Sequence, residues 1–314
     1  MNPRVSVCIP TYNSDKYLAE SIESVLEQTY SDYEILIIDN CSTDNSREII
    51  KKYAGKDRRI IYTFNEKNLG MVNNWNLCLT LAHGEYIKFL FSDDLLTSNR
   101  ALEEMTSILA ENQNVSLVAA SRYVIDEDSN IIKTLSEYRG SSKYAGAVII
   151  NDCLMEQKNQ IGEPSVVMFR KTAAERGFDP RYEQIVDLEM WFHLLEQGDF
   201  YYIDKPLCSF RVHSSQQTQL NIKNKRHIND AYLLLSDYSN KPYIRSSKIE
   251  KQYMYYVPAY GVWKSYKKHK IISRKEAEDK IINQYKLGRW KLLILHPFYK
   301  LFKFYFKLKR NKIS

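Results

Sequence analysis

Two adjacent carboxylates, Asp93 and Asp94, directly follow the apolar run EYIKFLF. Two like charges at the end of a buried strand repel each other unless a cation or hydrogen-bond donors compensate them. Hard divalent metals bind carboxylate oxygens together with substrate phosphate oxygens. The pair therefore predicts a metal site for a phosphate-bearing molecule, with a helix-capping role for Asp94 as the structural alternative.

Three more polar clusters follow strand-like runs, at residues 11–13, 39–40 and 68–70. Taken singly, each cluster is also typical of turns and helix caps. In a parallel sheet, however, the carboxyl ends of the strands meet at one edge, and ligands bind outside that edge. Four clusters at strand ends therefore predict a ligand site there.

The elements that must position these residues alternate along the first half of the chain. Short apolar runs alternate with segments of helical period. The predicted strands are 5–10, 33–39, 60–64, 85–91 and 115–125, and the predicted helices are 15–28, 46–53, 70–82 and 101–111. This alternation predicts an α/β fold with a mostly parallel sheet flanked by helices.

The composition of the 314 residues, with 44% hydrophobic and 26% charged residues, excludes a disordered or collagen-like chain. Five scattered cysteines without a C-x-x-C pair argue against a disulfide framework or a zinc site and favour a reducing compartment. The first apolar run is too short for a secretory signal, and no run of about 20 apolar residues predicts a membrane span. We therefore expect a cytoplasmic protein.

An ordered set of motifs resembles glycosyltransferase family 2, of the bacterial surface-polysaccharide type. The motifs are VSVCIPTYNSDKYLAESIESVLEQTYSDYEILIIDNCSTDNS, then NLG, AHGEYIKFLFSDD, DLEMWFHL and FRVH. They extend over residues 4–215. The resemblance implies the GT-A (Rossmann-like) fold, generally inverting transfer, and Mn²⁺ or Mg²⁺ as cofactor.

By this resemblance, one group of residues binds the nucleotide sugar. Residues 10–13 would line the pocket for base and ribose, and Asp39 would hydrogen-bond the edge of a uracil-type base. Gly70 would let the backbone approach the nucleotide, and Asp93 would face the ribose. The full nucleotide-sugar set is Pro10, Thr11, Tyr12, Asn13, Asp39, Gly70, Asp93 and Arg211.

The resemblance also implies that Asp94 holds the metal on the diphosphate. Ser92 replaces the first acid of the family's spaced motif, which weakens a claim of two direct carboxylate ligands. The late R-V-H sequence implies that Arg211 and His213 reach the metal–diphosphate group, with His213 as a metal ligand. A surface-loop histidine is the structural alternative, because the following SSQQTQ is typical of a loop.

A third implied role concerns Asp187 in IVDLEMWFHLLEQG, where the family has a Glu-Asp pair. Asp187 would be the general base that removes the proton of the acceptor hydroxyl. Glu189 is the fallback candidate, and a helix cap or an exposed helix acid is the structural alternative. Residues 162–165, Gly-Glu-Pro-Ser, are predicted to border the acceptor pocket, although a turn before a buried strand explains them equally well.

The resemblance predicts a catalytic domain over 1–215, with a nucleotide-binding half to about 125 and an acceptor half over about 126–215. A helical extension over 216–314 would follow. Its last 30 residues carry nine Lys or Arg and no acid, while the rest of the chain is near neutral. Bases and aromatics alternate at helical spacing from Phe298 to Arg310, which favours a helix on an anionic membrane surface. Nucleic acid ranks lower because no nucleic-acid fold signature is present, and packing on its own domain is the structural alternative.

Together these features predict a metal-dependent, inverting glycosyltransferase, peripheral on the inner face of the cell membrane. It would transfer one sugar from a nucleotide diphosphate sugar to a hydroxyl of a lipid-linked or saccharide acceptor. By the family resemblance alone, the setting would be bacterial O-antigen, capsule or lipopolysaccharide synthesis. The alternatives are a catalytically inactive membrane-docked scaffold and a nucleotide-sugar pyrophosphorylase, although TYNSDKYL lacks the glycines of a pyrophosphorylase phosphate loop. Tyrosine-rich segments after residue 216 could pack on the catalytic domain or form a homo-oligomer contact.

Overall fold

The computed structural model describes residues 2–213, 227–267 and 272–285. Strands and helices alternate through its first half, as the periodicity predicts. They are β1 (Val5–Thr11), α1 (Leu18–Leu26), β2 (Tyr33–Asp39), α2 (Ser46–Ala54), β3 (Ile60–Phe64), α3 (Met71–Leu81), β4 (Tyr86–Phe89), β5 (Leu95–Leu96), α4 (Ala101–Glu111) and β6 (Val115–Ile125).

The second half is less regular. It comprises β7 (Ile131–Leu135), β8 (Ser142–Tyr144), α5 (Gly146–Glu156), β9 (Val167–Arg170), α6 (Val186–Leu195), β10 (Asp199–Arg211), α7 (His227–Tyr238), α8 (Lys248–Lys267) and α9 (Arg274–Asn283). Short 3₁₀ turns cover Pro164–Val166 and Lys171–Ala174.

One sheet joins all ten strands, in the order β3-β2-β1-β4-β9-β6-β10-β5, with β7 on β6 and β8 on β10. Strand β2 is buried at every position, as expected for its near-continuous apolar sequence YEILIID. Thr11 pairs with Asp39 in the parallel register of β1 and β2. The register thus places the polar ends of neighbouring strands side by side.

The α/β class is confirmed, but parallel pairing is confined to two parts of the sheet. Strands β3, β2, β1 and β4 are parallel, as are β6 and β10. Between them, β9 runs antiparallel to both β4 and β6. The predicted boundaries of β2, β3, β6 and α4 are confirmed. Helix α1 begins later than predicted, because the Ser14 carbonyl first closes a turn onto the backbone N–H groups of Tyr17 and Leu18.

The chain divides into two compact units. The first comprises Met1–Gly146, Ile161–Arg181 and Val186–Ser214, and it contains the sheet. The second comprises Ala147–Gln160, Tyr182–Ile185 and Ser215–Ser314. A cluster of buried side chains from α8, α9 and their flanks forms a core of this second unit: Tyr256, Ala259, Val262, Ile272, Ala277, Ile281 and Tyr285. The predicted domain boundary near residue 215 stays a prediction.

The basic stretch predicted to contact membranes, residues 297–314, lies outside the described residues. Among the helices that the structure describes, none combines the length and the apolar character that crossing a membrane requires.

Candidate active site

Asp39, the last residue of β2, has a carboxylate that is fully buried at the end of the strand. Its Oδ2 accepts hydrogen bonds from the Arg47 Nε (3.0 Å) and the Ser42 backbone N–H (3.1 Å). Its Oδ1 is buried with no hydrogen-bond partner. Since an unpaired buried acceptor is costly, this oxygen is suited to an N–H group that a ligand brings.

The residues after β1 form a braced turn beside Asp39. Asn13 has a left-handed backbone (φ +48°), and its Oδ1 accepts the Thr43 backbone N–H at 2.8 Å. Its own N–H donates to the Ser42 hydroxyl at 2.9 Å. Thr11 is buried, whereas Tyr12 exposes half of its surface. The turn therefore presents the Tyr12 ring to solvent at the strand edge, where the sequence predicts a base and ribose pocket.

Asparagine side chains hold the segment before α3. The Asn40 amide oxygen accepts the Leu69 N–H at 2.8 Å, and its amide nitrogen donates to Asn68 Oδ1 at 3.0 Å. Gly70 follows with φ +80° and ψ 163°, a conformation that side chains disfavour, and it directly precedes α3. A Cβ at Gly70 would find no atom within 4 Å. The requirement for glycine at this position is therefore conformational.

Asp94 is the buried member of the acid pair, with 1% of its surface exposed. Its Oδ1 accepts the Arg211 backbone N–H at 2.9 Å, and its Oδ2 is buried without a hydrogen-bond partner. Burial raises the pKa of Asp94 well above its ordinary value, and the charge of Asp93 raises it further. The Ser165 hydroxyl and the Arg211 N–H lower the same pKa.

Asp93 is the more accessible acid, and its Oδ2 lies 2.9 Å from His213 Nε2. The His213 ring also packs against the Tyr17 ring, with centroids 5.3 Å apart. The predicted sharing of a metal by His213 and Asp94 stays a prediction. In this structure Asp94 is enclosed and bonded to the backbone of β10, and Asp93 is the acid that contacts the imidazole.

Arg211 is fully enclosed, with no exposed surface. Its Nε donates to the Asp93 carbonyl (2.7 Å), and the rest of the guanidinium donates to the Ser129 hydroxyl (2.9 Å) and the Glu20 carboxylate (2.8 Å). The same group lies 4.3 Å from the centre of the Tyr17 ring. The predicted contact of Arg211 with a diphosphate stays a prediction, while in this structure the guanidinium nitrogens have partners inside the protein and brace Asp93.

Asp187 lies in the first turn of α6, and its side chain is partly exposed. Burial raises the pKa of Asp187 to about 7, and the charge of Glu163 contributes to the rise. An acid with such a pKa accepts protons efficiently near neutral pH. Glu189, the fallback candidate, is buried and bound by both terminal nitrogens of Arg176 at 2.7 Å. That ion pair makes Glu189 a structural residue.

A complete metal site made by the protein alone is absent, since no three His, Cys, Asp or Glu residues cluster suitably within the described parts of the chain. Asp93 and His213 nevertheless offer a carboxylate and an imidazole in contact. Mg²⁺ and related ions are commonly held by one or two protein groups together with substrate phosphates. The pair therefore fits an ion that a diphosphate would help to bind.

Two residues of this region escaped the prediction. Lys88 is fully buried in β4, where its ammonium donates to the carbonyls of Phe89 and Ser165. Burial lowers the pKa of Lys88, while the neighbouring Cys208 thiol and Asp94 carboxyl raise it. Glu20 reaches Arg211 from α1. The position of Lys88 inside the apolar run EYIKFLF already indicates a buried lysine, whereas nothing in the sequence connects Glu20 with Arg211.

Sequence comparison finds relatives of this chain among glycosyltransferases. The model of Glycosyl transferase family 2 matches residues 6–178. An uncharacterized glycosyltransferase from Methanocaldococcus jannaschii is 31% identical over 242 residues, which are 76% of this chain and 81% of the relative. A putative teichuronic acid biosynthesis glycosyltransferase, TuaG from Bacillus subtilis, is 28% identical over 211 residues, covering 67% and 79% of the two chains.

Solved structures share the fold. TarS 1-349 from S. aureus, in complex with UDP-GlcNAc, superposes with a TM-score of 0.64 at 18% identity, covering 81% of this chain and 70% of that one. The mannosyltransferase PcManGT from Pyrobaculum calidifontis, in complex with GDP-Man and Mn²⁺, gives a TM-score of 0.60 at 17% identity, covering 98% and 87%. At these identities the likeness establishes the GT-A architecture alone.

The bracing role of Arg211 is testable by Arg211→Met. Loss of the guanidinium leaves the Asp93 carbonyl and its neighbours without donors, so we expect the free energy of unfolding to fall by about 3 kcal/mol or more. Urea unfolding measures it. Arg100→Met is the matched control, because Arg100 forms an exposed pair with Glu103 and should cost less than about 1 kcal/mol. Wild-type stability together with lost binding of UDP would instead restore a direct phosphate contact.

Proposed function

The chain belongs to glycosyltransferase family 2, and from this premise we propose that it transfers one sugar from a nucleotide diphosphate sugar to a hydroxyl of a lipid-linked or saccharide acceptor. The observation that carries the proposal is the set of groups at the carboxyl ends of β2 and β4. These are the partnerless Oδ1 of Asp39 and the contact between Asp93 and His213. The first suits a nucleobase and the second suits a metal-bound diphosphate.

For the donor, we propose a uridine diphosphate sugar. The buried Oδ1 of Asp39 needs an N–H donor, and the imide of uracil offers one. The exposed ring of Tyr12, two residues beyond the Pro10 position of β1, can stack on the base or ribose. The structural neighbour TarS, which was solved with UDP-GlcNAc and with UDP, is consistent with this choice.

For the cofactor, we propose that Asp93 and His213 hold Mn²⁺ or Mg²⁺, instead of Asp94 and His213. A divalent ion bound there would neutralise charge on the leaving diphosphate. Arg211 supports Asp93 by donating a hydrogen bond to the Asp93 carbonyl, and the Tyr17 ring packs against the His213 imidazole. The Mn²⁺ in the PcManGT structure is consistent with this cofactor.

For the reaction, we propose direct displacement with inversion. The acceptor oxygen attacks the anomeric carbon, and its proton moves to the Asp187 carboxylate. The bond between the anomeric carbon and the diphosphate oxygen breaks, and its electron pair leaves with the nucleoside diphosphate. The raised pKa of Asp187, about 7, keeps it basic enough to take this proton and partly ionised at neutral pH.

For the pathway, we propose synthesis of a bacterial surface polysaccharide such as O-antigen, capsule or lipopolysaccharide. Two relatives whose names refer to polysaccharide synthesis support this setting. They are the putative teichuronic acid enzyme TuaG and a chondroitin synthase from Escherichia coli. A panel of nucleotide sugars, scored by release of UDP or GDP, tests the donor, and absence of any release would contradict the proposal.

The metal assignment predicts that Asp93→Asn weakens Mn²⁺-dependent binding of UDP by about tenfold or more, equivalent to roughly 1.4 kcal/mol. The substitution preserves size and removes only the charge that a cation needs. Calorimetry of UDP with and without Mn²⁺ measures it. Asp94→Asn is the matched control, because an amide oxygen can still accept the Arg211 N–H. A larger loss in Asp94→Asn than in Asp93→Asn would return the metal to Asp94.

The base assignment predicts that Asp187→Asn retains UDP binding and loses transfer by about 10² or more. In the wild type, transfer should rise as the pH passes through about 7, since the carboxylate must be ionised to accept a proton. The rate of UDP release between pH 5 and pH 9 measures both effects. Glu189→Gln should lower the melting temperature without this loss, and near-normal transfer by Asp187→Asn would exclude it as the base.

For the location, we propose that residues 297–314 hold the enzyme on the inner face of the cell membrane. Six Lys or Arg residues lie in this stretch without an acid, and each base near an anionic surface contributes about 1 kcal/mol. Deletion of 297–314 should release the protein from phosphatidylserine vesicles in co-sedimentation and leave UDP release intact. Vesicle binding equal to that of the full chain would contradict the anchor.

A further inference from the structure

The loop of residues 162–165 connects the two chemical parts of the site within the first unit. At one end, the Trp191 Nε1–H donates to the Gly162 carbonyl at 3.0 Å, and Trp191 lies one helical turn after Asp187. At the other end, the Ser165 hydroxyl accepts the Phe91 backbone N–H at 2.9 Å, just before the acid pair. Glu163 therefore lies on a segment that is bonded both to α6, the helix that contains Asp187, and to the end of β4.

Arg122 holds the Glu163 carboxylate from the inside of the protein. The Arg122 Nε lies 2.7 Å from Glu163 Oε2, and its NH2 donates to Oε1 at 3.1 Å. The Arg122 side chain is 5% exposed, whereas the Glu163 side chain is 31% exposed. Arg122 thus anchors a carboxylate whose side chain stays partly exposed, as expected for a group that meets a ligand.

The loop backbone is also constrained. Gly162 has φ +125°, and a Cβ at this position would lie 2.4 Å from the Val166 side chain. Pro164 begins the 3₁₀ turn that leads into β9. Such constraints lower the entropy lost when a side chain binds a ligand. The fold therefore restricts the position of Glu163 before a ligand binds, so less conformational entropy is lost on binding.

We propose that Glu163 binds the acceptor, accepting a hydrogen bond from a second hydroxyl beside the one that Asp187 deprotonates. This inference rests on the proposed function. It specifies the acceptor class as a neutral sugar with neighbouring hydroxyl groups. An isolated alcohol lacks the second hydroxyl, and a phosphate-bearing acceptor would be repelled by the carboxylate.

The charges around Asp187 are consistent with an acceptor site between Asp187 and Glu163. Glu163 raises the pKa of Asp187 as well as that of Asp94, so its carboxylate acts on both parts of the site. Behind Glu163 lie Arg122 from β6 and Glu137, whose carboxylate is 3.8 Å from Arg122. On α6, Glu189 is neutralised by Arg176. Removal of the Glu163 charge should therefore make Asp187 a stronger acid.

The test compares Glu163→Gln, Glu163→Asp and Glu137→Gln with the wild type. The probes are octyl glucoside and octyl galactoside as sugars, octanol as an isolated alcohol and octyl phosphate as an anion, with the best donor from the nucleotide-sugar panel. In Glu163→Gln, we expect KM for the accepted glycoside to rise about tenfold or more, the loss expected for one hydrogen bond to a charged group. The acid limb of the pH profile should move to lower pH, because Asp187 loses a neighbouring negative charge.

The two other variants separate charge from structure. Glu163→Asp keeps the charge and should preserve the acid limb while KM rises. Glu137→Gln removes a charge on the other side of Arg122 and should change neither quantity. An unchanged KM and acid limb in Glu163→Gln, equal effects in Glu137→Gln, or a wild-type preference for octanol or octyl phosphate would overturn the inference. UDP release to water by the wild type, measured without a probe, tests the proposed function separately.

Discussion

A permanently charged guanidinium without exposed surface constrains the whole acidic end of the site. Arginine cannot lose its proton in proteins, so each donor of Arg211 must meet an acceptor inside the fold. The carbonyl of Asp93, the hydroxyl of Ser129 and the carboxylate of Glu20 supply these acceptors from three separate parts of the chain. Their convergence fixes the backbone of Asp93 and the position of His213, two residues beyond Arg211. The accessible acid and the imidazole therefore meet because a buried cation has to be satisfied.

Much of the structure of residues 5–125 could be predicted from the sequence, because the patterns that specify these strands and helices are local. The run YEILIID and the helical period of 101–111 give the correct boundaries of β2 and α4. The position of β9 could not be predicted in this way. Its residues pair with β4, some 80 positions earlier, and with β6, and a four-residue apolar run carries no signal for those partners or for their antiparallel direction. The sheet is consequently mixed where the periodicity predicts mostly parallel strands.

The site shows the same division between local and distant information. The residue types at the ends of β1 and β2 lie side by side at one edge of the sheet, as predicted, since their place depends on strand order and direction alone. Which of two adjacent aspartates is buried depends on a backbone N–H that arrives 117 positions later, at Arg211. Sequence spacing therefore cannot distinguish Asp93 from Asp94. The enclosure of Arg211 escaped prediction for the same reason, since its acceptors are scattered from Glu20 to Ser129.

Negative charge connects these observations with the proposed chemistry. Asp93 and Glu163 both raise the pKa of Asp94, and Glu163 raises that of Asp187, so each carboxylate makes the next harder to ionise. The fold supplies buried cations against this charge, since Lys88 acts on Asp94, Arg122 pairs with Glu163 and Arg211 donates to the Asp93 carbonyl. A nucleotide diphosphate would add further negative charge, which these cations, already engaged by groups of the protein, leave uncompensated. Under the proposed function, a donor of this kind would therefore bind together with a divalent cation, whose positive charge offsets that of the diphosphate. The pKa of Asp187, the proposed base, would then be set by its burial and by the charge of Glu163 instead of by the donor.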